Sequence, residues 1–159
     1  MTTKFLLRTF FFLLIAIPAS ISDIRKFRIP VVYVVAGIVV FVFADIAEFI
    51  LLETKTCSFF YNHIAAALSS LLVYFAARVF SGNGLGKGDI LFGLFSALYT
   101  GFYANMAATV FAALVGILFY LFLKVVQNKF HEENILRPIF VIPFVPFITA
   151  GALLSQFLL

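Results

Sequence analysis

The sequence predicts an all-α protein that crosses a membrane with six transmembrane helices. Of its 159 residues, 64% are hydrophobic and only 11% are charged, whereas soluble domains are about half apolar and a quarter charged. The apolar residues also fall into six segments, most of them close to the length of about 20 residues that a spanning helix needs. These segments are Phe5–Ser22, Val31–Leu52, Phe59–Phe80, Ile90–Tyr103, Ala104–Gln127 and Ile139–Leu159. They leave no room for a soluble domain, so we predict a single transmembrane domain over residues 1–159.

The first segment has two interpretations. Lys4 and Arg8 come before an apolar stretch that ends in "PAS", which is the pattern of a secretory signal with a cleavage site after small residues. Five further apolar segments follow it, and they favour an ordinary first transmembrane helix. We therefore expect the segment to stay in the protein.

Turn residues place the remaining boundaries. Pro30 precedes the second segment, and proline begins a helix without losing a hydrogen bond. The fourth segment is short, and only Gly101 and Asn105 separate it from the fifth. Pro143 and Pro146 fall inside the sixth segment, where they are expected to free carbonyl groups and bend the helix.

The basic residues predict the orientation, because cytoplasmic loops of membrane proteins are enriched in Lys and Arg. Eight of them lie in or next to the loops that follow the first, third and fifth segments, and three lie on the opposite side. The larger set is Arg25, Lys26, Arg28, Arg78, Lys87, Lys124, Lys129 and Arg137, and the smaller set is Lys4, Arg8 and Lys55. We therefore expect a multi-pass protein of the inner (plasma) membrane with both termini outside. The basic residues form no patch, so no nucleic-acid partner is expected despite the net charge of +4.

Cofactor chemistry has little support in the sequence. Cys57 is the only cysteine, so the chain cannot form an internal disulfide or a zinc site of paired cysteines. The glycine-rich stretch "SGNGLGKGDI" fits neither a phosphate-binding loop nor a dinucleotide fingerprint in its spacing. We expect no cofactor and no metal.

Two aspartates are the candidate catalytic residues. Asp23 closes the first segment and Asp89 opens the fourth, so both should lie at the cytoplasmic face. Two neighbouring carboxyl groups share one proton, because both cannot ionise cheaply. The ionised member can then activate a water against a peptide carbonyl while the protonated member donates to the developing oxyanion. Gly86 and Gly88, which lack Cβ atoms, are expected to adopt unusual dihedrals and admit the substrate backbone.

Structural interpretations of these residues stay open. Asp89 is also suited to be the N-cap of a helix, and Asp23 to pair with Arg25, Lys26 or Arg28. In the second segment, Asp45 and Glu48 lie one turn apart near the opposite face, where they form either a hydrated polar surface or an ion site. His63 lies near the same end and is expected to be a buried hydrogen-bonding group. A small transporter or ion-binding protein, in which Asp45, Glu48 and the glycine stretch form a site, is therefore the alternative function.

Three motifs together resemble the type IV prepilin peptidases, a family of GxGD membrane aspartyl proteases. They are "DIRKFRIP" from Asp23 to Pro30, "GKGD" from Gly86 to Asp89, and "IPFVPF" from Ile142 to Phe147. The resemblance covers about residues 23–150. Presenilin-type proteases share the GxGD signature, but the sequence has neither a YD pair nor a PAL tripeptide.

The resemblance implies a six-helix endopeptidase that cuts prepilin or pseudopilin precursors at the cytoplasmic face, after a glycine and before an apolar stem. Asp23 and Asp89 match the two catalytic aspartates of the family, and Gly86 and Gly88 match the signature glycines. Val31 and Leu91 depart from the Asn and Lys that the family often has there, and Lys87 is a candidate replacement for the missing positive charge. With one cysteine and no cytoplasmic insertion, the chain resembles the small members that do not methylate their products.

Overall fold

The computed structural model describes residues 3–51, 57–82, 84–130 and 142–158. This part of the chain forms six helices joined by short connections. In order they are α1 (Thr3–Lys26), α2 (Val31–Leu51), α3 (Cys57–Phe80), α4 (Lys87–Thr100), α5 (Phe102–Phe130) and α6 (Val145–Leu158). The all-α prediction is confirmed.

Four of the helices are long and apolar enough to cross a membrane. Their candidate spans are Lys4–Lys26, Val31–Glu48, Tyr61–Phe80 and Phe102–Val126. Helices α4 and α6 have 14 residues each, which corresponds to about 21 Å of helix against a hydrocarbon core of about 30 Å. The four long helices therefore support a multi-pass membrane protein, while α4 and α6 are short.

The short helix α4 is the centre of the bundle and contacts each of the other five helices. Its buried side chains Phe92, Phe95 and Tyr99 pack against the fully buried Phe12 of α1. The rings of Phe12 and Tyr99 stack with centroids 4.2 Å apart. The outer faces of α1, α2, α3 and α5 carry exposed Leu, Ile, Val and Phe side chains, as expected for surfaces in contact with lipid. Because Phe12 packs at the centre of the aromatic side chains, helix α1 is an integral part of the core.

Several helix ends differ from the sequence prediction. Helix α1 continues past Asp23 to Lys26. The boundary between α4 and α5 lies at Gly101 rather than after Tyr103, because Gly101 adopts a φ of +77° that ends α4 and that glycine tolerates. The side chain of Asn62 then accepts the backbone N–H of Phe102, at 3.1 Å.

Pro30, Pro143 and Pro146 lie at or just before helix starts, whereas Pro18 lies inside α1. The carbonyl group of Pro30 accepts the N–H groups of Tyr33 and Val34 at the beginning of α2, as predicted. The prediction that Pro143 and Pro146 interrupt the sixth helix is wrong, because α6 begins only at Val145. Proline is accommodated in the first turn, where backbone N–H groups have no intrahelical acceptor. Residues 139–141 of the predicted sixth segment lie outside the described residues.

Candidate functional site

Asp23 and Asp89 lie at the same end of the bundle. Asp23 is in the last turn of α1 and accepts a hydrogen bond from Val145 at the start of α6. Asp89 is in the first turn of α4, next to Gly88, against which Ile29 of the α1–α2 connection packs. The ends of α1, α4 and α6 therefore meet around the two carboxyl groups.

Asp23 is buried, with 6% of its surface exposed. Its Oδ2 atom accepts the backbone N–H of Val145 at 3.0 Å. After Asp23 the chain leaves the helix through Phe27, whose φ of +50° is left-handed and whose N–H bonds to the Asp23 carbonyl. Within the described residues, no ion pair joins Asp23 to a basic side chain. The interpretation that it pairs with Arg25, Lys26 or Arg28 is therefore wrong.

Asp89 occupies the third position of α4 rather than the N-cap, which is Gly86. Its Oδ2 atom accepts the backbone N–H of Gly86 at 3.1 Å, so it satisfies a donor that the helix start leaves free. The N-cap interpretation assigned Asp89 to the wrong position, although the side chain does help to begin the helix. The suggestion that Lys87 neutralises Asp89 has no support, since no ion pair joins them in the described structure.

The surroundings of Asp89 favour its protonated form. Burial, and to a smaller extent the negative charge of Asp23, raise the pKa of Asp89 from 3.8 to about 6, against the opposing effect of the hydrogen bond from Gly86. Asp89 lies outside the four candidate spans. A carboxyl group with this pKa can hold or release a proton near neutral pH, which is the property that a general acid or base needs.

Gly86 and Gly88 are required for close approach rather than for unusual dihedrals. Gly86 has a φ of −66°, and the glycines with positive φ in the described chain are Gly82 and Gly101. A Cβ atom on Gly86 would lie 2.9 Å from Oδ2 of Asp89, and one on Gly88 would lie 2.8 Å from Cδ1 of Ile29. The expectation of unusual dihedrals is therefore wrong, and what the structure shows is that a Cβ atom at either glycine would press on a neighbouring side chain.

Three residues of this site were not identified from the sequence. Val145 contributes a backbone donor to Asp23, and Ile29 packs against Gly88. Arg78 donates to the carbonyl oxygen of Leu85 at 2.8 Å and so fixes the connection that leads into α4. The "IPFVPF" motif indicates the region of Val145, but its signal comes from the prolines and not from a backbone donor. Arg78 resembles an ordinary loop charge in the sequence.

The other polar residues of interest form a separate cluster at the opposite end of the bundle. Arg8 of α1 binds Oδ1 of Asp45 at 2.9 Å and the carbonyl oxygen of Leu98 at 2.9 Å. Lys4 binds Glu48 at 2.8 Å. His63 is buried, and its Nε2 atom lies 3.3 Å from Arg8, which confirms that it is a buried hydrogen-bonding group.

The residues that would form the site of a transporter lie at opposite ends of the bundle. Asp45 is held by Arg8, and Arg8 in turn contacts Leu98 near the end of α4. The glycine stretch lies at the start of α4, next to Asp89. Asp45 and Glu48 therefore do not form an ion site with that stretch. No cluster of three potential metal ligands occurs within the described residues.

Comparison with protein-family models identifies a family to which the chain is similar. The model of a family described as "Type IV leader peptidase family" matches residues 10–121. The matched region contains Asp23, Gly86, Gly88 and Asp89, whereas "IPFVPF" lies beyond its end. No curated protein and no solved structure matches the chain.

Proposed function

The chain belongs to the type IV leader peptidase family, and on this basis we propose that it is an aspartic endopeptidase that removes leader peptides from prepilin or pseudopilin precursors. The observation that carries the proposal is the electrostatic interaction of Asp23 with Asp89, which helps to raise the pKa of Asp89 to about 6. These carboxyl groups come from helices far apart in the sequence and meet at one end of the bundle. A pair that shares one proton has the acid and the base that peptide hydrolysis needs.

The environments of the two residues assign their roles. Asp23 accepts a backbone N–H of α6, an interaction that suits an ionised carboxylate. Because Asp89 also accepts a backbone N–H, the roles are assigned from the burial of Asp89. Asp23 is then the base that takes a proton from water as the water oxygen bonds to the scissile carbonyl carbon. Asp89, whose burial favours the protonated form, donates its proton to the carbonyl oxygen and forms a neutral tetrahedral intermediate.

Collapse of the intermediate restores the pair. The C–N bond breaks as Asp23 passes its proton to the leaving nitrogen, and the hydroxyl group of the intermediate returns a proton to Asp89. The products are a carboxyl group on the leader and an amino group on the mature protein. Gly86 and Gly88 lie beside Asp89, and in this proposal they allow the substrate backbone to approach the carboxyl groups.

The location of the pair predicts which side of the membrane the enzyme works on. The end of the bundle that holds Asp23 also carries the exposed Arg25, Lys26 and Arg28, and basic residues of this kind favour the cytoplasmic side. We therefore assign the site to the cytoplasmic face of the inner (plasma) membrane and both termini to the outside. We keep six membrane crossings in this proposal. The fourth crossing begins at Ile90, so Asp89 lies just outside it.

Cleavage of a co-expressed precursor tests the proposal. The precursor has a short basic leader that ends in glycine before a long apolar stem, and its mature form is separated from the precursor by electrophoresis. Asp23→Asn and Asp89→Asn should each lower the cleavage rate by roughly 100-fold or more, the range of general acid–base contributions. Glu48→Gln removes a carboxylate at the other end and is the matched control. Immunoblots of the membrane fraction establish equal amounts, and retained cleavage in either aspartate variant removes that residue from the mechanism.

A further inference from the structure

An apolar groove lies beside the two aspartates. It has a volume of about 470 Å³ and lies between the end of α3, the connection to α4, the middle of α5 and the residues that precede α6. Ala77, Leu85, Ala113, Gly116 and Phe144 are among the residues that line it. We call it the stem groove.

The stem groove adjoins the candidate active site through two chain segments, although neither aspartate lines it. Leu85 lines it, and the next residue, Gly86, donates its N–H to Asp89. Phe144 lines it on the other side, and the next residue, Val145, donates its N–H to Asp23. Each carboxyl group is thus held by a backbone donor one residue away from a wall of the groove. An occupant of the groove would therefore contact Leu85 and Phe144, the residues that directly precede these two donors.

The side chains that line the stem groove favour binding of an apolar helix over binding of a polar peptide. Ala77 and Ala113 present small exposed side chains on α3 and α5, both of which are candidate membrane spans. Small residues on membrane helices let a second helix approach closely and gain packing energy. A hydrated polar segment would lose its water here for few hydrogen-bond partners, since Ser81 and Tyr120 are the lining residues with polar side chains. The groove therefore fits a segment that is apolar, helical and already in the membrane.

We propose that the stem groove binds the apolar helix that follows the scissile bond of the precursor. This proposal rests on the proposed function and extends it, because it assigns the residues of this protein that hold the segment after the scissile bond. The substrate enters sideways from the bilayer, and its first apolar turns pack against Ala77 and Ala113 while the leader passes Asp89. Precursors with a polar segment at this position are poor substrates.

Disulfide cross-linking tests the location without relying on catalysis. The protein carries Cys57→Ser and Asp89→Asn, which remove the native thiol and one proposed catalytic group, together with Ala113→Cys. The precursor has a single cysteine in the first two turns of its apolar stem. Mild oxidation should give a disulfide-linked adduct with Ala113→Cys and little with Ala107→Cys, which lies on the same helix outside the groove. Equal or absent adducts at both positions overturn the proposal.

A kinetic measurement separates this proposal from the proposed function. In the otherwise unchanged protein, Ala113→Phe fills the groove and should raise the KM for the stem-bearing precursor by roughly tenfold, with kcat unchanged. Ala107→Phe should leave both constants unchanged. If the wild-type protein cleaves the precursor and Ala113→Phe behaves identically, the groove proposal is wrong and the peptidase assignment stands. If the wild-type protein does not cleave the precursor, the peptidase assignment fails and the groove proposal fails with it.

Discussion

The backbone amide of Val145 donates a hydrogen bond of 3.0 Å to Oδ2 of Asp23, although the two residues are 122 positions apart. Val145 is the first residue of α6, where N–H groups have no acceptor within the helix. A carboxylate satisfies such a donor and is also favoured by the positive end of the helix dipole. The position of α6 therefore fixes the position of the group that we assign as the catalytic base.

Replacing Val145 with proline should remove this hydrogen bond with little change to the helix, because proline is well tolerated at the first helical position. Hydrogen bonds to charged groups contribute about 1.5–3 kcal/mol. Val145→Pro should therefore lower kcat for leader cleavage by roughly tenfold or more and leave KM unchanged. Initial rates at several precursor concentrations measure both constants.

Val145→Ala is the matched control because it keeps the N–H donor while it removes the buried side chain. Its effect should appear as a lower melting temperature rather than as a lower kcat. Equal kcat values for Val145→Pro and Val145→Ala would show that the amide does not position Asp23.

The pH dependence of cleavage follows from the pKa of Asp89. Burial, and secondarily the charge of Asp23, raise this pKa to about 6, and the proposed acid must carry its proton. The value of kcat/KM, which reports the free enzyme, should therefore fall as the pH rises through about 6. Cleavage assays in a series of buffers at constant ionic strength measure this limb. A value of kcat/KM that stays constant or rises over the same interval would contradict the assignment of Asp89 as the acid.

The sequence predicts the helices better than it predicts the site. Apolar segments and turn residues located all six helices, since burial in lipid requires long apolar runs. The sequence motifs predicted Asp23 and Asp89 as the candidate catalytic residues. The contribution of Val145 could not be predicted, because a backbone donor has no side-chain signature. The start of α4 was also missed, because the capping interaction of Asp89 with Gly86 adds a turn of polar residues before the apolar run.

Removing the charge of Asp89 should stabilise the protein in a pH-dependent way. A carboxyl group whose pKa rises from 3.8 to about 6 on folding contributes stability at low pH and loses it as the pH rises through this interval. The neutral Asp89→Asn variant does not lose this contribution. Its melting temperature in detergent should exceed that of the wild type by a few degrees above pH 6. The difference should be smallest near pH 4, and a constant difference across the range would show that Asp89 is not destabilised by its charge.

Gly88 and Ile29 should be energetically coupled. A Cβ atom on Gly88 would lie 2.8 Å from Cδ1 and 3.0 Å from Cβ of Ile29, so Gly88→Ala should displace the α1–α2 connection beside Asp89 and lower cleavage. Ile29→Ala removes the atom in closest contact. Residues in contact are energetically coupled, so the fold-loss of activity in the double variant should be smaller than the product of the two single fold-losses. A fold-loss equal to that product would show that the two residues act independently. Gly82→Ala is unsuitable as a control because Gly82 has a φ of +60°.

The ion pair of Arg8 with Asp45 should contribute to stability and not to the chemistry. Asp45 is buried, with 4% of its surface exposed, and Arg8 also holds the carbonyl oxygen of Leu98 at 2.9 Å. Removal of one partner from a buried pair leaves a charge without compensation, which costs about 3–5 kcal/mol. Arg8→Ala should therefore lower the melting temperature substantially and reduce the amount of protein in the membrane.

Lys4 provides the comparison, because its side chain is 63% exposed and its pair with Glu48 is at the surface. Exposed pairs contribute about 0–1 kcal/mol, so Lys4→Ala should change the melting temperature little. Cleavage per folded molecule should equal that of the wild type in both variants, since the cluster lies at the opposite end of the bundle from Asp89. A selective loss of kcat in folded Arg8→Ala protein would instead show that this cluster influences the reaction.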